Sequence, residues 1–129
     1  MLSLARFIRS FRYSLKGLSQ IFREEHSFRI QVFIGLLVLI LSLGFNIKVW
    51  ELVVVVLVMT LIFVLELINS VLERFVDVLK PRLHPYVESS KDMMAAVVLI
   101  FSIGAILIGL LIFTPYFINL FSNISKISF

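Results

Sequence analysis

Three long apolar runs constrain this chain more than any other feature. Residues 30–47 are interrupted by few polar side chains, namely Gln31, Ser42 and Asn46. Leu52 opens a second run that stays apolar to Leu65 apart from Thr60, and Met93 to Phe113 forms a third. Each is about long enough, at roughly 20 residues, to cross the hydrocarbon of a bilayer as a helix. Apolar residues make up 60% of the 129, more than a soluble domain of this size can withdraw from water. The expected fold is therefore all-α and integral to a membrane. One membrane domain, 1–129, would hold spans over 29–47, 50–79 and 91–114. Asn46, Lys48 and Glu51 read as a polar turn between the first two, and Pro81 and Pro85 punctuate the loop before the third. Ser89 and Asp92 have capping-box spacing for that third helix, and Pro115 marks its expected end.

The first 27 residues follow a different pattern. On a helical wheel Ile8, Phe11, Leu15, Leu18 and Phe22 fall within roughly 40° of Leu4. Arg9, Arg12, Lys16 and Arg23 gather on the far side, with Arg6 and Tyr13 at its edge. This is the pattern of a helix lying in the membrane interface, basic face toward headgroups or phosphates. The same arginines break any apolar core expected of a cleavable leader. The absence of cysteine excludes disulfides and thiolate metal sites. Basic residues also orient the chain. Arg6, Arg9, Arg12, Lys16, Arg23, Arg29, Arg74, Lys80, Arg82 and Lys91 would share one side, and only Lys48 and Lys126 the other. A cytoplasmic N-terminus and an external C-terminus are expected.

Chemistry concentrates at the end of the second span. Glu66, Asn69, Ser70, Glu73 and Asp77 fall on a helix within an arc of about 100°, a stripe roughly 16 Å long. Carboxylates at that depth cost several kcal/mol, by common estimates, unless paired, hydrated or bound to a cation. The stripe is therefore expected to face other helices or a polar cleft. Hydrogen bonding between helices would account for Asn69 and Ser70, but three carboxylates on one face repel without a positive partner. Mg²⁺ is one candidate, since it takes one or two carboxylates together with substrate phosphates. The arginines of the surface helix and Lys91 are others. Glu24 and Glu25 end the surface helix at the same membrane face. Either would share a metal with Glu73 or remain merely solvated, and solvation suits Glu24 better. Carboxylates, a divalent metal and several Lys and Arg are the parts of phosphoryl transfer, although neither glycine-rich phosphate loop motif is present.

Taken together, these residues resemble a family. Glu66-Leu-Ile-Asn69-Ser-Val-Leu-Glu73-Arg-Phe-Val-Asp77 is similar to the ExxNxxxExxxD signature of the small prokaryotic diacylglycerol kinases and undecaprenol kinases. Tyr13-Ser-Leu-Lys-Gly17, Glu25-His-Ser-Phe-Arg29, His84-Pro85, Lys91-Asp92 and Ala95-Ala96 follow the family in order and spacing. The His-Pro pair and Gly109-Leu-Leu-Ile-Phe-Thr-Pro115 look more like the Gram-positive undecaprenol kinase branch. Met94, Val97 and Val71 depart from its smaller residues, with consequences expected for helix packing.

The resemblance implies a homotrimeric helical bundle in the bacterial cytoplasmic membrane, with active sites between subunits, using ATP, Mg²⁺ and a membrane lipid alcohol, with no nucleic acid involved. Undecaprenol is the expected substrate and diacylglycerol the alternative. Glu66 would be the catalytic base, close to the lipid along with Ala95. Glu25 and Glu73 would be the metal ligands. Arg6, Tyr13, His84, Lys91 and Asp92 would join both of them in holding ATP, while Asn69, Asp77 and Lys16 would play supporting parts. A competing reading makes Glu66, Glu73 and Asp77 a proton or ion relay. A relay would continue across the bilayer, yet residues 52–65 offer only Thr60.

Overall fold

The computed structural model describes residues 3–79 and 84–127, and within them the chain forms four helices. Helix α1 spans Leu4–Glu24, α2 His26–Gly44, α3 Val49–Leu79 and α4 His84–Ile127. Three of them, α2, α3 and α4, are long and apolar enough to cross a membrane. The protein is a helical membrane protein.

Each junction has a local cause. The Ser3 side chain caps α1 by accepting from the Arg6 backbone N–H at 3.2 Å, satisfying one of the donors a helix start leaves open. Helix α1 ends at Glu24 rather than 27 because Glu25 takes an extended conformation, φ −102° and ψ 107°. The Arg29 guanidinium reaches back across this break and donates to the carbonyls of Arg23 at 2.6 Å and Phe22 at 3.3 Å. A cation thereby sits on the negative end of α1. Between α2 and α3 the chain turns through Asn46 at φ 51°, a left-handed conformation that asparagine tolerates better than most side chains. Glu51, in the first turn of α3, then accepts the Lys48 N–H at 3.1 Å, the acidic half of a capping box.

Helix α4 departs most from expectation. It starts at His84, so Pro85 lies in its first turn rather than in a loop, where proline costs no backbone hydrogen bond. Ser89 and Asp92 lie inside the helix and form no capping box at its start. At the other end the helix continues through Pro115 to Ile127 instead of stopping near 114. Contacts with other helices hold the segment beyond the proline. The Tyr116 hydroxyl donates to Glu51, and Phe45 packs its ring on Tyr116 at 5.8 Å and on Phe117 at 5.0 Å. Residues 80–83, which include Lys80, Pro81 and Arg82, lie outside the described part.

The main core, Val55, Ile112 and Phe113 with Val38, Leu41 and Met59 around them, lies toward the Asn46 turn. Toward the opposite end a smaller aromatic group joins α1 to the spans: Phe28 is buried edge-on to Phe22 at 6.4 Å and Phe63 at 6.0 Å. Little else of the apolar surface is covered. Only 17% of the most apolar stretch of α2 and of α3, and 11% of that of α4, is buried within the chain. The apolar face of α1 is likewise open, from Leu4 at 74% to Phe22 at 45% exposure, as a helix seated in an interface requires.

Candidate active site

The polar stripe of α3 grades from buried to open. Glu66 and Ser70 are buried, Asn69 and Glu73 half-buried, and Asp77 exposed. Burial at the Glu66 end comes from α2. Gly35 is buried there, and a Cβ on it would meet Phe63 Cζ at 2.9 Å and Met59 Cε at 3.0 Å. Such close approach brings Gln31, one turn before Gly35, within reach of α3. Gln31 Nε2 donates to Glu66 Oε2 at 3.2 Å. Its other amide atom, Oε1, is buried without a hydrogen-bond partner. No basic side chain lies within ion-pair distance of Glu66 among the described residues.

Arg74, next to Glu73, reaches the end of the surface helix. It forms an ion pair with Glu24, and its Nη2 lies 3.6 Å from Glu25 Oε1. Glu24 is thus paired rather than merely solvated. Among the described residues the cation at Glu24 and Glu25 comes from α3. Among the described residues no three His, Asp or Glu side chains converge as a complete metal cage. A divalent cation that takes part of its shell from phosphate and water needs only one or two carboxylates.

Next to Gln31 an apolar cavity of about 400 Å³ opens between α2, α3 and α4. Val38, Ile62, Phe63 and Ile106 line it, with Gln31 and Ser102 as its polar points. Ser102 has spent its proton on the Val98 carbonyl, at 2.8 Å.

The remaining expected site residues are dispersed within this chain. Arg6, Tyr13 and Lys16 are exposed along α1. On α4, Lys91 is half-buried while Asp92 and Ala95 are exposed. His84 opens α4, and its side chain lies outside the described residues. Sequence reasoning missed the partners Gln31 and Arg74. Gln31 carried a signal, a lone amide near the start of an apolar span; Arg74 was counted only toward topology.

A search against known families matches residues 12–113 to the prokaryotic diacylglycerol kinase family. The chain belongs to that family. It is 32% identical over 112 residues to the undecaprenol kinase of Bacillus subtilis, covering 87% of this chain and 91% of the relative. To a diacylglycerol kinase of Synechocystis it is 31% identical over 112 residues, or 86% of this chain and 64% of that protein. A diacylglycerol kinase of Haemophilus influenzae is 31% identical over 97 residues, 75% of this chain and 82% of the relative. Membership makes the protein a lipid kinase of the membrane, which works with ATP and, as is usual for kinases, a divalent metal.

Proposed function

We propose that this kinase phosphorylates the hydroxyl of a membrane lipid alcohol, with undecaprenol as its substrate and diacylglycerol as the second candidate. The observation that carries the reading is Glu66: a buried carboxylate that, among the described residues, has no cation and is bonded on one oxygen only, at the deep end of an acidic stripe. It stands about 10 Å along the helix from Glu73, so the deeper carboxylate faces an alcohol arriving from the bilayer and the shallower one faces phosphates arriving from water. In the reaction the alcohol oxygen forms a bond to the γ-phosphorus, the bond from that phosphorus to the bridging oxygen breaks, and ADP leaves. Glu66 accepts the hydroxyl proton. Glu25 and Glu73 would hold Mg²⁺, which offsets phosphate charge when bound. Arg6, Tyr13, His84, Lys91 and Asp92 would contact the nucleotide, with Lys16, Asn69 and Asp77 in support and Ala95 beside the lipid. Undecaprenol is favoured over diacylglycerol by the greater share of both chains matched in the undecaprenol kinase relative.

By resemblance to its family the kinase would be a homotrimer in the bacterial cytoplasmic membrane, and the uncovered apolar faces of the spans suit a lipid surround. The basic residues support a cytoplasmic N-terminus; a cytoplasm-dependent reporter fused to the C-terminus should stay silent. The test of activity is purified protein with labelled ATP, Mg²⁺ and each lipid alcohol in parallel. Label should pass to undecaprenol faster than to diacylglycerol. Transfer to neither would overturn the reading.

A further inference from the structure

We infer that the end of α4, from Tyr116 to Ile127, is a second interfacial segment, bent over at Pro115 so that its apolar side rests on the lipid surface at the Asn46 end of the bundle. The family match stops at Phe113, so this stretch lies outside the part shared with the family. On a helical wheel Phe117, Leu120, Phe121, Ile124 and Ile127 fall within an arc of about 120°, while Asn119, Ser122, Asn123 and Lys126 share the opposite side. Each of these apolar side chains is exposed.

Contacts fix where the segment begins. The Tyr116 hydroxyl donates to Glu51, and Phe45 packs on Tyr116 and Phe117, so Tyr116 stands level with the turn at which α2 and α3 leave the hydrocarbon. Phe117–Ile127 would carry a straight α4 about 16 Å beyond that turn, setting phenylalanine and isoleucine side chains in water. Two features provide a bend at this level. Pro115 lies inside the helix, and its ring crowds the carbonyl of Leu111 and opens that side. The Thr114 hydroxyl donates to the Leu110 carbonyl, a bond of the kind that bends helices. On the wheel the proline falls among Ser122, Lys126 and Asn119, opposite the apolar arc, so the helix tips toward its apolar side. Phe113 and Phe117 lie on that side too, and they pack against α2 and α3 of this chain. The segment therefore folds over its own turn toward the bilayer, not outward to another copy. Val49 and Trp50 are exposed at the same turn, and tryptophan favours the membrane interface. Residues 114–129 carry Lys126 and no acidic side chain, which suits anionic headgroups.

The chain contains no cysteine, so a single nitroxide label can be placed at will. The experiment labels Ile124→Cys and Asn123→Cys separately, in the full-length protein in vesicles of phosphatidylcholine and phosphatidylglycerol. Collisions are measured with oxygen, which concentrates in hydrocarbon, and with a water-soluble nickel chelate. The Ile124→Cys label should favour oxygen, at a depth of about 5–10 Å, and the Asn123→Cys label should favour nickel. Phe121→Cys supplies a second apolar position should Ile124→Cys not assemble. Adding Pro115→Ala to Ile124→Cys should move that label toward nickel, with the melting temperature near that of the proline-containing protein. An Ile124→Cys label open to nickel with Pro115 in place would leave the segment in water and overturn the inference. So would a label shielded from both reagents and broadened by a second spin, which would seat the segment on another copy. A label that keeps its depth in the Pro115→Ala protein would overturn the bend at the proline.

Discussion

Helix α3 buries two glutamates, and they have opposite surroundings. Glu51 and Glu66 are 7% and 5% exposed and stand about 22 Å apart along the helix. Glu51 is served by the Lys48 N–H and the Tyr116 hydroxyl, which tie the start of α3 to the far part of α4. Among the described residues Glu66 has one amide donor and one idle oxygen. Burial alone therefore does not mark a reactive acid. What separates the two is unspent hydrogen-bonding capacity, which a structural carboxylate uses up and a catalytic one keeps for its substrate.

The largest expected effect tests that contrast directly. Glu66→Gln should lower turnover by about 100-fold or more, the usual cost of losing a general base, while ATP and Mg²⁺ binding, read by calorimetry, stay close to wild type. Loss of nucleotide binding would place Glu66 among the metal ligands instead. Next come Glu25→Gln and Glu73→Gln. Either should reduce activity by about tenfold or more and raise the Mg²⁺ needed for half-maximal rate, with partial recovery at high Mg²⁺. An unchanged Mg²⁺ titration would remove that residue from the metal site. Glu51→Leu should act on stability rather than chemistry. It takes away a helix cap, a loss of about 1 kcal/mol, and should lower the melting temperature by a few degrees while kcat per folded protein holds. A fall in kcat at unchanged stability would erase the distinction between the two glutamates. The smallest effect is expected from Gly35→Ala. The new methyl must displace the Phe63 ring tip and the end of Met59, overpacking of a kind that costs about 1–3 kcal/mol, here at the low end because Met59 is flexible. A modest fall in kcat should accompany it if the α2–α3 spacing sets the Gln31–Glu66 bond.

The fold was legible where local pattern suffices. Apolar runs locate three spans, and the wheel of Leu4 to Phe22 locates the amphipathic helix, because length and periodicity act along the chain. The ends of α4 were not legible. Ser89 and Pro115 carry local stop and start signals, but Pro85 begins the helix earlier, and Phe45 and Glu51, distant in sequence, hold it beyond Pro115. The same limit applies to the candidate site. Helical spacing alone places Glu66, Asn69, Ser70, Glu73 and Asp77 on one face. It cannot say that Gln31 meets Glu66 or that Arg74 turns back to Glu24, because these depend on how α2 and α1 are rotated about their own axes. Glu51 shows the same limit: in sequence it reads as part of a polar turn, and in the fold it is among the most buried polar residues described.

The Gln31–Glu66 bond joins two helices of unequal length. At 19 residues α2 is about 28 Å long, close to the roughly 30 Å of a bilayer core, whereas the 31 residues of α3 extend to about 46 Å. The part of α3 that outruns the hydrocarbon is its polar end, from Glu66 to Asp77. The contact that orients Glu66 is thus made between a helix that matches the hydrocarbon layer and one that outruns it.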